Sequence, residues 1–101
     1  MTAPFWGCGV WEAQPGREDE FVERWRAIAE WTLASFPGAG PARLVEDPGD
    51  PTRFVSIVPW EDVGQVADWQ THPEFRRLWD ALEETYVNSD RRTYALRLDL
   101  S

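Results

Sequence analysis

The chain has 101 residues, a net charge of −8 and ten basic residues, all of them arginine. This length favours a single domain over residues 1–101, and an acidic chain without a basic run is a poor candidate for binding nucleic acid, because phosphate contacts need clustered cations. One cysteine and one histidine exclude the usual zinc ligand sets, and no spacing of carboxylates indicates another metal site.

The first predicted element is a strand from Pro4 to Ala13, which ends at the turn formed by Pro15 and Gly16. Its cysteine, Cys8, has no partner for an internal disulfide, which fits a reducing cytoplasm. The N-terminal residues show neither a basic start nor a long apolar run. We therefore expect no signal peptide and no membrane span, and a soluble cytoplasmic protein.

The segment from Arg17 to Phe36 predicts the first helix. Three acidic residues fill its first turn, where the helix dipole favours negative charge. Apolar side chains recur at spacings of three and four, which is typical of one buried helix face. The stripe consists of Phe21, Trp25, Ile28 and Thr32.

Two strand-like runs follow, Arg43 to Glu46 and Arg53 to Trp60, separated by the turn-forming sequence DPGDP. We expect these runs to pair as a hairpin.

The last part of the chain predicts two helices and a strand. A weaker helix covers Glu61 to Thr71 and is interrupted by Gly64, and a stronger one covers Pro73 to Val87, with proline at its first position. Arg91 to Leu100 alternates between apolar and polar residues, which predicts the closing strand. The stripe of the stronger helix consists of Phe75, Leu78, Trp79, Leu82 and Tyr86.

This order of elements predicts an α+β fold of the ferredoxin-like β-α-β-β-α-β type, with the second helix in two pieces. Such a fold has a four-stranded antiparallel sheet with the helices on one face. The other face of the predicted sheet also carries apolar residues. Dimerisation through the sheets is the simplest way to cover them.

Three stretches of the sequence resemble the antibiotic biosynthesis monooxygenase family, whose members form dimeric α+β barrels. They are QPGREDEFVERW after the first strand, the run FVSIVPWEDVGQVADWQTHPEFRRLW, and the closing strand. Trp60 at the end of the third strand and Trp69 nine residues later are the most specific features. The resemblance implies a homodimer with a ligand pocket between the sheet and helices of each subunit.

The haem-degrading branch of this family can be compared residue by residue. Its pattern has a tryptophan and, ten residues on, a histidine that ligates iron. Trp69 matches the tryptophan, but ten residues on stands Trp79, which cannot ligate iron. The asparagine that this branch carries in its first strand is also missing, with Gly9 at about that position. The sequence therefore argues against haem degradation.

Another branch of the family oxidises aromatic polyketides with molecular oxygen and without a metal or flavin. Such an enzyme must hold a flat ring, stabilise the substrate anion and keep water out. This resemblance implies no cofactor, a small aromatic substrate and molecular oxygen as partners, and Trp69 as a catalytic residue. We expect the substrate to be bound by aromatic side chains, namely Trp11, Trp25, Phe75, Trp79 and Tyr94.

His72 is the only histidine and has two interpretations. Histidine titrates in the range that suits proton transfer near neutrality, so His72 is a candidate catalytic base. In an unbroken helix it would share the inward face of Phe75 and Trp79. However, a residue before a proline avoids the helical conformation. His72 could instead be a helix cap with a local hydrogen bond.

The sequence thus favours a cofactor-independent monooxygenase acting on a flat aromatic or polyketide-like molecule. A polyketide cyclase or isomerase on the same fold is one alternative. The other is a non-catalytic ligand-binding or dimeric interaction domain, in which the tryptophans form only core and interface.

Overall fold

The computed structural model describes residues 3–100, which form four strands and three helices. The strands are β1 (Phe5–Ala13), β2 (Arg43–Asp47), β3 (Asp50–Trp60) and β4 (Tyr86–Ala95), and the helices are α1 (Glu18–Ser35), α2 (Val63–Thr71) and α3 (Pro73–Glu83). The predicted ferredoxin-like order, with its second helix in two pieces, is confirmed. Among these residues no helix is both long and apolar enough to cross a membrane.

The four strands form one antiparallel sheet in the order β2-β3-β1-β4. β2 and β3 pair as the predicted hairpin, with only Pro48 and Gly49 between them. β1 is a central strand, and its pairing register aligns residues of all four strands in cross-strand rows. One row, which crosses β2, β3, β1 and β4, consists of Leu44, Ser56, Gly9 and Arg91.

The three helices lie on one face of the sheet and bury the core against it. α1 contributes Phe21 and Ile28, which are 0% and 4% exposed. These side chains pack in one cluster with side chains of β1, β3 and α3. The members contributed by these other elements are Trp11, Ala13, Phe54, Phe75, Trp79 and Leu82.

The boundary between α3 and β4 differs from the expected one. The apolar spacing predicted a helix up to Val87, but α3 ends at Glu83. Thr85 is fully buried, and both its backbone N–H and its hydroxyl donate to the carbonyl oxygen of Leu82, which closes the helix with a turn. Tyr86 then enters the core from β4, where it packs edge-on against Trp11 at 5.3 Å between ring centroids. A residue four positions after Leu82 faces inward either way, so the periodicity could not locate the end of the helix.

The second face of the sheet, called the open face below, is uncovered in the monomer. Residues of β1 that alternate with Trp11 point to this face, as do their neighbours on β2 and β4. Val10, Val45 and Tyr94 are 39%, 50% and 52% exposed there. β4 ends at Ala95, so the leucines expected in its last residues follow the strand instead of belonging to it.

Candidate active site

A cavity of about 150 Å³ lies between the sheet and the helices and opens to solvent on one side. Its floor is formed by β1, β3 and β4, and its walls by α1, α2 and α3. Six of the residues that line the cavity are aromatic. The rings that line it belong to Trp11, Trp25, Trp60, Trp69, Phe75 and Trp79.

Five of these six rings contact one another in a continuous series. Trp60 packs on Trp69 with 5.5 Å between centroids, and Trp69 packs edge-on against Phe75 at 4.6 Å. Phe75 stacks on Trp79 at 5.1 Å with only 22° between the ring planes, and Trp79 meets Trp11 at 5.5 Å. Offset and edge-to-face contacts of this kind are the favourable ones for aromatic pairs. The walls are therefore a rigid surface suited to a flat aromatic ring.

Two buried hydroxyl groups hold two of the tryptophans in place. The Trp69 indole Nε1–H donates to Thr32 Oγ1 at 2.8 Å, and the Trp11 Nε1–H donates to Ser56 Oγ at 3.0 Å. Thr32 and Ser56 are only 3% and 7% exposed. An indole N–H left without an acceptor inside a protein costs free energy, so these bonds fix the orientation of the two rings.

We predict that Thr32→Val lowers the free energy of unfolding by about 1–3 kcal/mol, because the partly buried Trp69 N–H loses its acceptor, while valine keeps the volume of the threonine side chain. Urea unfolding of both proteins measures the difference. Thr32→Ser is the matched control, since it keeps the hydroxyl, and it should restore the near-ultraviolet circular dichroism of the tryptophans that Thr32→Val alters. Equal spectra for the wild type and Thr32→Val would contradict an orienting role of Thr32.

Arg91 supplies the positive charge of the cavity. It lies on β4 directly beside Gly9, and its guanidinium carbon stands 4.2 Å from the centroid of Trp79 and 5.9 Å from that of Trp11. Within residues 3–100 its guanidinium forms no ion pair and no hydrogen bond. Its charge therefore rests on the aromatic faces and is available to a ligand.

His72 lies outside this cavity. It sits at the junction of α2 and α3 in an extended conformation, with φ −70° and ψ 137°, as expected before Pro73. Its Nδ1 accepts the backbone N–H of Glu74 at 3.0 Å, and its exposed ring packs edge-on against Trp31. The structure therefore supports the capping interpretation, and the catalytic interpretation is the alternative that the next experiment tests.

We predict that His72→Asn retains ligand binding and turnover. Asparagine is a good N-cap acceptor, so this substitution removes the imidazole and keeps the cap. His72→Ala removes both and should lower the free energy of unfolding by about 1 kcal/mol. Loss of activity in His72→Asn with unchanged stability would restore His72 to the mechanism.

Of the five side chains expected to bind substrate, the structure brings four to the cavity and leaves one outside. Those at the cavity are Trp11, Trp25, Phe75 and Trp79, and Trp69, the expected catalytic residue, lines it as well. Tyr94 pairs with Trp6 across the sheet and points to the open face, because it alternates with Thr93 along β4. Its expected place in the cavity wall is thus wrong.

The polar side chains of the cavity were not among the residues singled out from the sequence as site candidates. Arg91, Ser56 and Thr32 all line it. Cys8 lies in the floor strand, and burial raises the pKa of its thiol above the ordinary value, which keeps it protonated and weakly nucleophilic at neutral pH. Among residues 3–100, no histidine and no carboxylate lines the cavity, and no cluster of three potential metal ligands occurs.

Comparison with known proteins gives a family and a set of similar folds. Residues 9–80 match the family model described as antibiotic biosynthesis monooxygenase. SnoaB, a cofactor-independent oxygenase from Streptomyces nogalater, is 19% identical over 97% of both chains, with a TM-score of 0.87. A conserved protein from Methanosarcina mazei is 15% identical over 95% of both chains, with a TM-score of 0.83. A protein from Pseudomonas aeruginosa is 22% identical over 98% of both chains, with a TM-score of 0.79. No curated protein matches the chain.

Proposed function

The chain belongs to the antibiotic biosynthesis monooxygenase family, and we propose that it is a cofactor-independent oxygenase acting on a flat aromatic or polyketide-like phenol or anthrone. The observation that carries this proposal is the pairing of aromatic walls with one unpaired guanidinium, that of Arg91, at 4.2 Å from Trp79. SnoaB, which shares the fold, is a cofactor-independent oxygenase, and this likeness supports the same reaction type.

The reaction needs an electron-rich anion and molecular oxygen. An anthrone loses a proton from the ring carbon opposite its carbonyl and becomes an enolate whose negative charge lies on oxygen. The enolate gives one electron to O2, the resulting carbon radical and superoxide join in a C–O bond, and the peroxide anion takes up a proton from water to become a hydroperoxide. The hydroperoxide then loses water and leaves a second carbonyl. Overall, anthrone and O2 yield anthraquinone and water, with O2 as the sole oxidant.

The residues of the cavity have defined parts in this scheme. Trp69, Phe75 and Trp79 hold the ring, with Trp11 and Trp25 completing the wall. Arg91 stabilises the enolate oxygen, since an opposite charge close to an acid favours its ionised form. No histidine and no carboxylate of the described residues lines the cavity, so the proton passes to water at the open side.

Oxygen uptake by the metal-free protein tests this proposal. The protein, treated with a chelator, is incubated in air with anthrone and with a panel of phenols, and O2 consumption and quinone formation are followed together. We expect one O2 consumed for each quinone formed. No uptake above the buffer rate across the panel would refute the oxygenase. A cyclised or isomerised product formed equally fast under argon would instead favour a cyclase, and binding without turnover would favour a ligand-binding domain.

We further propose that the protein is a homodimer that pairs the open faces of two sheets, and that it works in the cytoplasm. The exposed Val10, Val45 and Tyr94 support the dimer, because apolar groups on one contiguous sheet face favour burial against a partner. The unpaired Cys8 supports a reducing compartment. Sedimentation equilibrium should give twice the chain mass, and a monomer at micromolar concentration would contradict the dimer.

A further inference from the structure

The two hydroxyl groups that hold the tryptophans differ in how their own protons are used. Thr32 Oγ1 accepts from Trp69 and donates to the carbonyl oxygen of Ile28 at 2.6 Å. Ser56 Oγ accepts from Trp11, and no atom of residues 3–100 accepts a hydrogen bond from Ser56. A hydroxyl carries one donor proton and two acceptor lone pairs. Ser56 therefore keeps an unused donor.

The direction of this donor is restricted. An indole N–H can only donate, so the bond between Trp11 and Ser56 cannot reverse, and the Ser56 proton must point away from Trp11. Ser56 is only 7% exposed and lines the cavity. Its proton is therefore largely shielded from solvent, and a buried donor favours an acceptor. A molecule that occupies the cavity can supply that acceptor.

We propose that Ser56 is a specificity-determining residue that donates a hydrogen bond to a ligand oxygen at the end opposite Arg91. The two residues belong to one cross-strand row, on either side of Gly9. Their backbones are two strand spacings, about 10 Å, apart. Both side chains line the cavity from these positions, so a ring system held between them needs an oxygen at each end, with one hydrogen bond to each. This assignment rests on the proposed function, from which the aromatic nature of the ligand is taken. It narrows the substrate class to aromatic molecules with oxygen substituents on opposite edges.

Binding of a matched pair of naphthols under argon tests this assignment. 4-Methoxy-1-naphthol carries a second oxygen, and 4-ethyl-1-naphthol has nearly the same shape without it. Calorimetric titration of the wild type should give about three- to tenfold tighter binding of the methoxy compound, the value of one net hydrogen bond. In Ser56→Ala the ratio of the two dissociation constants should fall to about one, and Ser56→Thr, which keeps the hydroxyl, should restore it.

Trp11→Phe separates the donor from the anchoring bond. This variant loses the indole N–H and keeps the Ser56 hydroxyl, so the preference for the methoxy compound should persist. The proposal is overturned if Ser56→Ala keeps the ratio, if Trp11→Phe abolishes it, or if the wild type binds neither naphthol. The titration excludes oxygen and is therefore independent of turnover. If the protein shows the expected ratio of dissociation constants but consumes no O2, the proposed oxygenase activity is refuted and the proposed role of Ser56 in binding stands.

Discussion

Replacing Arg91 with methionine is expected to lower kcat/KM for anthrone oxidation about a hundred- to a thousandfold, the usual effect of removing one group that stabilises a developing oxyanion. Methionine retains an unbranched apolar side chain to pack against Trp79, whose centroid lies 4.2 Å from the guanidinium carbon, and removes only the charge and the donors. The pH–rate profile should also shift to higher pH, because the pKa of the bound substrate rises when the cation is removed. Stopped-flow formation of the quinone from pH 6 to 10 measures both effects.

Two variants control this experiment. Arg91→Lys keeps a positive charge and should recover part of the lost rate. Arg76→Met makes the same change in net charge on the outer side of α3, where Arg76 pairs with Asp80 at 3.5 Å, and it should leave the rate unchanged. A rate for Arg91→Met within threefold of the wild type would remove Arg91 from the mechanism and weaken the oxygenase proposal.

Gly9→Ala is expected to lower the free energy of unfolding by about 1–3 kcal/mol, the usual cost of inserting an atom into a packed interior. A Cβ atom at this position would stand 2.7 Å from Trp11 Nε1 and 2.8 Å from Ser56 Oγ. Trp11 cannot move away because its ring is 3% exposed and packs on Phe21 and Trp79. The new methyl group would therefore break the bond between Trp11 and Ser56, and urea unfolding together with near-ultraviolet circular dichroism should report the loss.

Gly7→Ala is the matched control for this substitution, since Gly7 lies two residues away on the same face of the same strand. A Cβ atom there would meet its nearest neighbour, Trp60 Nε1, at 3.4 Å, which is ordinary van der Waals contact. Gly7→Ala should change the free energy of unfolding by less than half as much as Gly9→Ala. Equal losses of unfolding free energy in the two variants would mean that the contact of Gly9 with Trp11 and Ser56 has no special effect on stability.

Much of the fold was predictable because the apolar residues of each helix or strand recur at the spacing typical of that element. α1 shows spacings of three and four from Phe21 to Thr32, and Pro73 marks both the start of α3 and the extended conformation of His72. The end of α3 was not predictable, since Tyr86 faces inward on a helix and on a strand alike. What decided it was the buried turn at Thr85, which depends on tertiary packing.

The polar side chains of the cavity could not be predicted from the sequence for a different reason. Which face a residue of β4 presents depends on its register with β1, and the sequence does not display this register. Pairing of Gly9 with Arg91 and of Trp6 with Tyr94 puts the arginine in the cavity and the tyrosine on the open face, whereas Tyr94 was the residue expected in the cavity wall. The one available signal was Gly9 itself, because a glycine inside a strand can mark a close approach of other atoms.

Within residues 3–100 the guanidinium of Arg91 rests on Trp79 and forms no ion pair, in a chain whose net charge is −8. The net charge of the chain therefore repels anions, while the guanidinium at the cavity attracts them. In the proposed reaction, a phenol or anthrone would approach as the neutral acid and would ionise only beside Arg91, so the acidic surface would select the protonated form of the substrate. The quinone product would be uncharged and would form no ion pair with Arg91. The charge distribution would therefore favour entry of the neutral acid and release of the quinone.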